Sequence, residues 1–199
     1  MTHSRPLYYI GDQAVDRLVE YCAQQGLAPL VIVADHNTYA ALGERVAQAL
    51  AAAGLAVKTV MLKGEPILAD AQAVMQVLVQ VEQTPRVYLA VGSGTITDVV
   101  RFVSHRTGTA FIAVPTAPSV DGFTSIGAPL VFDGQKVTLV TQAPLAVFAD
   151  LPTLCAAPPA MLAAGLGDML GKFTSIADGQ LGGLVWGNGY DASLARRMQ

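Results

Sequence analysis

The chain has 199 residues, of which 52% are apolar and 14% are charged, and its net charge is -3 at pH 7. This composition supplies a large buried core and excludes an extended disordered protein. The acidic balance also excludes the basic surface that binding to nucleic acid requires. Asp121 and the pair Pro158-Pro159 interrupt the most apolar stretches. We therefore expect no membrane-spanning segment, which needs roughly 20 apolar residues in a row.

The start of the chain and its cysteines indicate the compartment. The first residues, MTHSRPLYYIGDQ, lack the basic segment and the apolar run of a secretion signal. The two cysteines, Cys22 and Cys155, lie far apart, so we expect neither a disulfide nor a thiolate metal site. These features predict a cytoplasmic protein. Its expected partner is a small-molecule substrate, and association into a homo-oligomer stays open.

From Leu7 to Asp150, short apolar runs alternate with helical patterns. The apolar runs predict strands at residues 7–10, 29–35, 56–62, 86–91, 109–114 and 145–150. Apolar residues at helical spacing predict helices at residues 12–25, 37–53, 70–81 and 95–106. Strands that alternate with helices predict an α/β fold, in which a Rossmann-like parallel sheet is covered on both faces.

The pattern changes after Pro115. Residues 130–140 predict a hairpin that turns at Asp133-Gly134. Pro158-Pro159 open a long helical pattern, and only helices are predicted from there to Gln199. We expect two domains, which are a nucleotide-binding α/β domain at residues 1–152 and the start of an all-helical domain at residues 153–199.

The segment VGSGTITDVV, at residues 91–100, follows a predicted strand and opens a predicted helix. Gly92 and Gly94 would let a ligand approach the backbone, and the N–H groups at a helix start attract phosphate. Thr97 replaces the third glycine of the dinucleotide motif G-x-G-x-x-G. The segment alone therefore fits either a phosphate-binding loop or a tight turn. Asp98 fits an acid in the first helical turn, where the helix dipole favours it.

Two further stretches place polar groups at strand ends. Asp35 ends the second strand, where it either contacts a ribose hydroxyl of NAD or caps the next helix. In PTAPSVDGFTS, at residues 115–125, a buried strand leads into a group of polar side chains, namely Thr116, Ser119, Asp121, Thr124 and Ser125. Loops at the carboxyl ends of parallel strands form the usual binding crevice, so this stretch predicts a ligand site.

Asp168 lies between glycines in the helical stretch GLGDMLGKFTSIADGQLGG, at residues 165–183. Glycine in a helix costs about 1 kcal/mol relative to alanine, so the glycines indicate that something approaches the helix closely. Asp168 is either a metal ligand or substrate contact, or the i,i+4 partner of Lys172. The three histidines, His3, His36 and His105, have no metal-ligand spacing, so the sequence contains no complete metal site.

The segments GSGTITDVVRF, VPTAPSVDGFTS and GLGDMLGKFTSIADGQLG resemble the iron-containing alcohol dehydrogenase and dehydroquinate synthase superfamily, and within it the glycerol-1-phosphate dehydrogenases. The resemblance covers nearly the whole chain, and the Pro-Thr-Ala-Pro-Ser-x-Asp-Gly segment is its specific part. It implies a nucleotide domain, a helical domain that binds metal and substrate, and an active site between them. The implied cofactor-binding positions are Asp35, Gly92, Ser93, Gly94, Thr95, Ile96, Thr116, Ser119 and Ser125.

For the substrate, the resemblance implies a contact at Asp121. It implies that Asp168 is the catalytic residue, a metal ligand and a second substrate contact. The implied reaction interconverts a polyol phosphate and its ketone, most closely glycerol 1-phosphate and dihydroxyacetone phosphate. NAD or NADP would exchange the hydride, and a divalent metal, zinc in the family, would polarise the substrate oxygen.

The chain departs from the family at the metal site. The family takes further metal-binding histidines from later helices, and no histidine follows His105 here. We therefore expect a chain that is truncated at its C-terminus and inactive alone, with a full-length parent that is the enzyme. Two alternatives stay open, namely a dehydroquinate-synthase-like lyase that uses NAD transiently and a non-catalytic nucleotide-binding module.

Overall fold

A parallel six-stranded sheet forms the centre of the computed structural model, which describes residues 6–198. The strands of the described chain are β1 (Leu7–Gly11), β2 (Leu30–Asp35), β3 (Val57–Leu62), β4 (Val87–Gly92), β5 (Ala110–Pro115), β6 (Gly127–Phe132), β7 (Gln135–Val140) and β8 (Ala146–Asp150). The large sheet has the order β1-β8-β5-β4-β2-β3, and its neighbouring strands run parallel. The predicted Rossmann-like α/β fold is confirmed.

The helices are α1 (Ala14–Gln24), α2 (His36–Thr38), α3 (Glu44–Ala52), α4 (Ala71–Leu78), α5 (Gly94–Arg106), α6 (Leu151–Cys155), α7 (Pro159–Trp186) and α8 (Ala192–Met198). Helix α2 continues into α3 through a π-helical turn at Tyr39–Gly43. The Tyr39 ring lies against Gly43, where an added Cβ would be 2.7 Å from a ring carbon. Apolar spacing predicts the helix at residues 37–53, but it does not predict this wider turn.

Helices cover both faces of the sheet because its central strands are apolar on both sides. The core on one face contains Leu18 of α1 and Leu50 of α3, together with Ile32 of β2. The core on the other face contains Val77 of α4 and Val99 of α5. This two-sided burial is the reason that the central strands read as continuous apolar runs in the sequence.

Strands β6 and β7 form a separate antiparallel hairpin that packs beside α5. Its turn at Asp133 and Gly134 has φ values of 49° and 75°, which are the two positive values of a type I′ turn. The hairpin is therefore present as predicted, although β6 begins at Gly127 rather than at Leu130.

One helix boundary and one additional helix differ from the sequence prediction. Helix α4 ends at Leu78, not at Val81. Val79 N still donates to Met75 O, four residues back, but Gln80 N donates to Val77 O, only three residues back, so the last turn is tighter. The short helix α6, which the sequence pattern does not predict, follows β8 directly, and Asp150 caps it by accepting from Thr153 N at 3.1 Å.

Helix α7 packs little of its length against the sheet. Its buried residues are Gly165, Ile176 and Gly182. Its large apolar side chains are mostly exposed, among them Phe173 and Trp186, the latter at 71%. Between residues 6 and 198, no helix has both the length and the apolar character that crossing a membrane requires.

Candidate functional site

The carboxyl ends of β2, β4 and β5 meet at one edge of the sheet, and predicted site residues gather there. Asp35 ends β2, Gly92 ends β4, and Thr116 follows the end of β5. The strand order reverses at this place, because β4 lies beside β2 on the side opposite to β3. Open parallel sheets bind ligands at such a switch point. The topology therefore brings the glycine turn, residues 92–96, next to Asp35.

The glycine turn connects β4 directly to α5. Ser93 precedes the helix in an extended conformation, and its hydroxyl makes no capping hydrogen bond. The first N–H groups of a helix have no partner within it, so those of residues 94–96 are open to a ligand. An added Cβ would lie 2.5 Å from Ile96 Cγ1 at Gly92 and 3.0 Å from Val120 Cγ2 at Gly94. Close packing within the protein therefore also requires these glycines.

Thr97 stands where the dinucleotide motif has its third glycine, and it is buried. Its hydroxyl and its N–H both donate to the Ser93 carbonyl oxygen, at 3.0 Å and 3.1 Å. These two bonds hold the turn against the first turn of α5. Thr97 therefore fixes the turn where the motif has its third glycine, and the N–H groups of residues 94–96 stay open at the helix start.

Asp35 caps helix α2. Its Oδ1 atom accepts from Thr38 N at 2.8 Å, and Thr38 Oγ1 accepts from the Asp35 N–H at 2.9 Å, which is a reciprocal capping box. The capping alternative from the sequence is thus realised. The ribose contact stays a prediction, and it is compatible with the cap because the carboxylate has a second oxygen that can accept.

The loop after β5 runs across the glycine turn. Thr116 N donates to Gly92 O at 3.2 Å, and Val120 packs against Gly94. Thr116 also lines a cavity of about 460 Å³, which it shares with Thr38 beside Asp35. A volume of this size lies within the usual range for small-molecule sites. Thr116 therefore borders this cavity and also contacts the glycine turn, while Asp35 lies next to the cavity-lining Thr38.

Ser119 lies where helix α7 crosses this loop. An added Cβ on Gly165 would be 1.7 Å from Pro118 O and 3.5 Å from Ser119 Cα. The close approach that the glycines of this helix predict is therefore made, at Gly165, by the protein's own loop. At Gly167 and Gly171 an added Cβ would meet nothing within 4 Å.

A second cavity, of about 280 Å³, lies between this loop, α5, the hairpin and α7. Its lining brings together four predicted site residues, namely Gly94, Asp121, Ser125 and Asp168, and adds Lys136 of β7. Ser125 Oγ accepts from Gly127 N at 2.8 Å, which fixes the start of the hairpin. Two of the predicted cofactor positions and both predicted substrate positions thus share this second cavity.

Asp168 joins α7 to the loop after β5. Its Oδ2 atom accepts from the Asp121 N–H at 2.8 Å, and the Asp121 carboxylate forms an ion pair with Lys172. The alternative that pairs Asp168 with Lys172 is therefore wrong as an ion pair, because the lysine contacts Asp121 instead. The Asp121 N–H is the main cause that lowers the pKa of Asp168, and Lys172 and Lys136 add attraction. Asp168 is ionised at neutral pH.

Asp98 and Arg101 line the second cavity, and the sequence does not identify either as part of the site. Asp98 lies beyond the first turn of α5, so its assignment as a first-turn acid is wrong. It instead pairs with Arg101, Oδ1 to Nη1, at 2.6 Å. Burial raises the pKa of Asp98 to about 6, against the attraction of Arg101 and Lys136. In the sequence, the pair is indicated by the single arginine that interrupts the apolar residues of DVVRFV, three positions after Asp98.

The described residues around Asp168 do not form a three-ligand metal group. Among residues 6–198, no three His, Cys, Asp or Glu side chains are grouped so that they could hold a metal ion. A catalytic zinc usually has three protein ligands. The neighbouring carboxylate, Asp121, is paired with the ammonium group of Lys172, which repels a cation. His3 lies outside the described residues. Within the described residues, Asp168 therefore lacks the further ligands that would complete a three-ligand group.

A larger cavity, of about 890 Å³, lies at the opposite edge of the sheet, beside the amino ends of β4 and β5. Its lining consists mainly of turn residues such as Thr84 and Gly108, and includes none of the predicted site residues. The switch point and the open helix start, rather than the cavity volume, therefore identify the candidate site.

The strand order and the glycine turn at its switch point define a Rossmann-like α/β protein. Within that class, residues 9–158 match the family of iron-containing alcohol dehydrogenases. The chain belongs to this family.

Two curated relatives and one solved structure illustrate the match. The chain is 50% identical over 175 residues to the glycerol-1-phosphate dehydrogenase (NAD(P)+) of Halalkalibacterium halodurans, covering 86% of this chain and 44% of that protein. It is 42% identical over 193 residues to the protein of the same name from Bacillus subtilis, covering 96% and 49%. The structure of a probable glycerol dehydrogenase from Sinorhizobium meliloti 1021 superimposes with a TM-score of 0.72 at 25% identity, covering 88% and 48%. The chain spans about half the length of the curated relatives it matches.

Proposed function

We propose that this chain carries the NAD(P)-binding part of an oxidoreductase that interconverts glycerol 1-phosphate and dihydroxyacetone phosphate. The observation that carries the proposal is the open helix start at Gly94, which lies at the switch point beside Asp35. The names of the curated relatives supply the cofactor and the substrate. The two free cysteines of the chain suit the reducing cytosol, where we place the protein.

In this proposal the crevice at the switch point binds the cofactor. The N–H groups of residues 94–96 donate to its pyrophosphate, because a helix start favours negative charge. Asp35 accepts from a ribose hydroxyl, while Thr116 and Ser119 contact the cofactor from the neighbouring loop. Ser125 lies near the nicotinamide. Residues 1–152 then form the nucleotide-binding domain, and residues 153–199 belong to the helical domain.

The second cavity takes the substrate. Asp121 and Asp168 accept hydrogen bonds from the polyol hydroxyls, since both carboxylates border that cavity. The bond from the Asp121 N–H keeps Asp168 ionised and fixes its direction. NAD(P) supplies the hydride acceptor for the alcohol carbon. A metal, zinc in our proposal, would need ligands beyond Asp168, which residues 6–198 do not place around it.

A non-catalytic NAD(P)-binding module is the second candidate function. The observation that favours it is the lack of a three-ligand group around Asp168 within the described residues. Both candidates require the same cofactor site. Turnover of glycerol 1-phosphate by the 199-residue chain would exclude the non-catalytic module.

Gly94→Val tests the cofactor site that both candidates share. A valine at this position presses on Val120 and occupies the approach to the helix start, so we expect NAD(P) affinity to fall at least roughly 100-fold. Isothermal calorimetry with NAD+ and NADP+ measures the change, and circular dichroism checks the fold. Gly167→Val is the matched control, because it places the same β-branched side chain in a helix where the space is open.

The expected result is that only Gly94→Val loses affinity. If folded Gly94→Val binds the cofactor as tightly as the unmodified chain, the glycine turn is only a connection between β4 and α5. The proposed function then fails, because the open helix start at Gly94 is the observation that carries it.

A further inference from the structure

Arg101 is a buried arginine, only 1% exposed, in the middle of helix α5. Its Nη1 atom donates to Asp98 Oδ1 at 2.6 Å and to Gly127 O at 2.8 Å. Its Nη2 atom donates to Gly122 O at 2.7 Å and to Phe123 O at 3.3 Å. One side chain thus holds three carbonyl groups of the segment 122–127, which is called the site loop below.

The two elements that Arg101 joins carry different parts of the proposed site. Helix α5 begins at the glycine turn, where the cofactor pyrophosphate is placed. The site loop follows Asp121 directly and contains Ser125. Both Asp121 and Ser125 border the second cavity. The hydrogen bonds from Arg101 to the loop therefore connect the helix that begins at the pyrophosphate site to the residues placed near the nicotinamide and the substrate.

Core packing alone does not explain this arginine. Burying a charge is unfavourable unless it is paired and hydrogen-bonded, and an apolar side chain would fill the same space at lower cost. The planar guanidinium has one property that an apolar residue lacks, because its two terminal nitrogens can hold separate carbonyls in fixed directions. The Asp98 carboxyl group pairs with the guanidinium on the side facing the helix.

We propose that Arg101 is a positioning residue that fixes the site loop against α5, so that Asp121 and Ser125 face the glycine turn. The identity of the ligands in this proposal rests on the proposed function. The contact between Arg101 and the loop is independent of that function. Arg101 acts through the loop, while the groups that contact cofactor and substrate stay those already named.

Arg101→Met tests the proposal, because methionine fills much of the same space without charge or donors. Hydrogen exchange, followed by mass spectrometry on the 199-residue chain, measures the loop directly. We expect the amides of residues 122–127 to exchange at least roughly tenfold faster, while those of β4 and β5 stay protected. Arg106→Met is the matched control, since Arg106 is an exposed arginine on the same helix that stacks on Phe102.

A second measurement separates positioning from a general structural role. In the proposed site, ADP-ribose would bind beside Asp35 and the glycine turn without reaching Ser125, whereas the nicotinamide of NAD(P) would lie near Ser125. We expect Arg101→Met to weaken NAD(P) binding roughly tenfold, because a displacement of about 1 Å in a site has effects of that order or larger. ADP-ribose affinity should stay within about twofold. A merely structural defect would weaken both ligands equally.

Unchanged exchange in residues 122–127 of a folded Arg101→Met chain would overturn the proposal, and so would equal losses for ADP-ribose and NAD(P). If Arg101→Met does not fold, Arg101→Lys replaces it, since lysine keeps a charge beside Asp98 but has one nitrogen in place of the fork. Faster loop exchange in that variant supports the proposal, and unchanged exchange contradicts it. If the unmodified chain binds neither ligand, the proposed function fails, while the exchange data still decide the role of Arg101.

Discussion

Gly165 lies where helix α7 crosses the loop that carries Ser119, and the crossing leaves no space for a side chain. An added Cβ would be 1.7 Å from Pro118 O, whereas at Gly167 the space is open. These two glycines lie two residues apart in α7, and each lowers the intrinsic stability of the helix by the same amount. They differ only in what faces them, so they separate a packing requirement from simple helix flexibility.

We predict that Gly165→Ala loosens α7 from the loop, because the backbone of one of them must move to remove the overlap. Gly167→Ala should instead stabilise the helix, by up to about 1 kcal/mol, since alanine is the better helix former. Hydrogen exchange of residues 162–172 measures both changes. Equal protection of this segment in the two variants would show that the crossing is not a fixed contact.

At the residue scale, the sequence indicates which positions belong to the site better than it indicates their hydrogen-bond and ion-pair partners. It placed Asp121 and Asp168 in one site, and the structure joins them by a hydrogen bond. It did not predict that Lys172 pairs with Asp121, because that pair connects a loop to a helix across a distance in sequence that spacing rules do not cover. The sequence does not indicate the role of Arg101 for the same reason, since its carbonyl partners come from a different element.

At the scale of the elements, an ion pair joins Arg45 of α3 to Asp150 at the end of β8. The Arg45 Nη2 to Asp150 Oδ1 distance is 2.5 Å, and the Asp150 side chain is 1% exposed. Burial alone would raise the pKa of Asp150, but the hydrogen bonds from Arg45 and Thr153 outweigh it and hold the pKa below its usual value. This carboxylate thus connects α3, β8 and α6.

We predict that Arg45→Met lowers the free energy of unfolding by about 1 to 2 kcal/mol, because it leaves a buried carboxylate with only the Thr153 bonds. Arg17→Met is the control. Arg17 pairs with Glu20 at 2.9 Å, but both side chains are about half exposed, and such surface pairs contribute little. Urea denaturation at pH 7 measures the two effects, and equal changes would mean that the Asp150 pair is no stronger than a surface pair.

The same pair predicts a pH dependence. A carboxylate whose folded-state pKa is lowered stabilises the fold above its unfolded pKa, about 3.9, and this stabilisation is lost as the pH falls through the folded pKa. The difference in unfolding free energy between the unmodified chain and Arg45→Met should therefore shrink below about pH 4. A difference that stays constant from pH 7 to pH 3 would contradict the charged pairing.

Element types were predictable from the sequence because apolar periodicity reflects burial. The strands of the central sheet could be read from runs such as residues 29–35, since these strands are covered on both faces. The π-helical turn at Tyr39–Gly43 and the early end of α4 could not, because both depend on local backbone bonds that leave the apolar pattern unchanged.

On the scale of the whole molecule, stability is unevenly distributed. The sheet strands β2, β4 and β5 are almost entirely buried, whereas α7 buries only three of its residues, namely Gly165, Ile176 and Gly182. We predict that most amides of α7 exchange well before those of the central strands, because regions with few buried apolar contacts open at low free energy. Hydrogen exchange of the unmodified chain measures this, and equally slow exchange in α7 and β4 would show that the helix is covered in solution.

The first strand of the large sheet along the chain, β1, pairs with the last, β8. Their register runs from Leu7 with Ala146 to Gly11 with Asp150. During synthesis, the residues of β1 leave the ribosome long before those of β8, so β1 has no place in the sheet until nearly all of the α/β part has been made. Contacts so distant in sequence also slow folding, because a long loop must close first. A nascent chain that stops before β8 would expose the edge of β5 and a loose β1, and such unpaired strand edges are prone to aggregate.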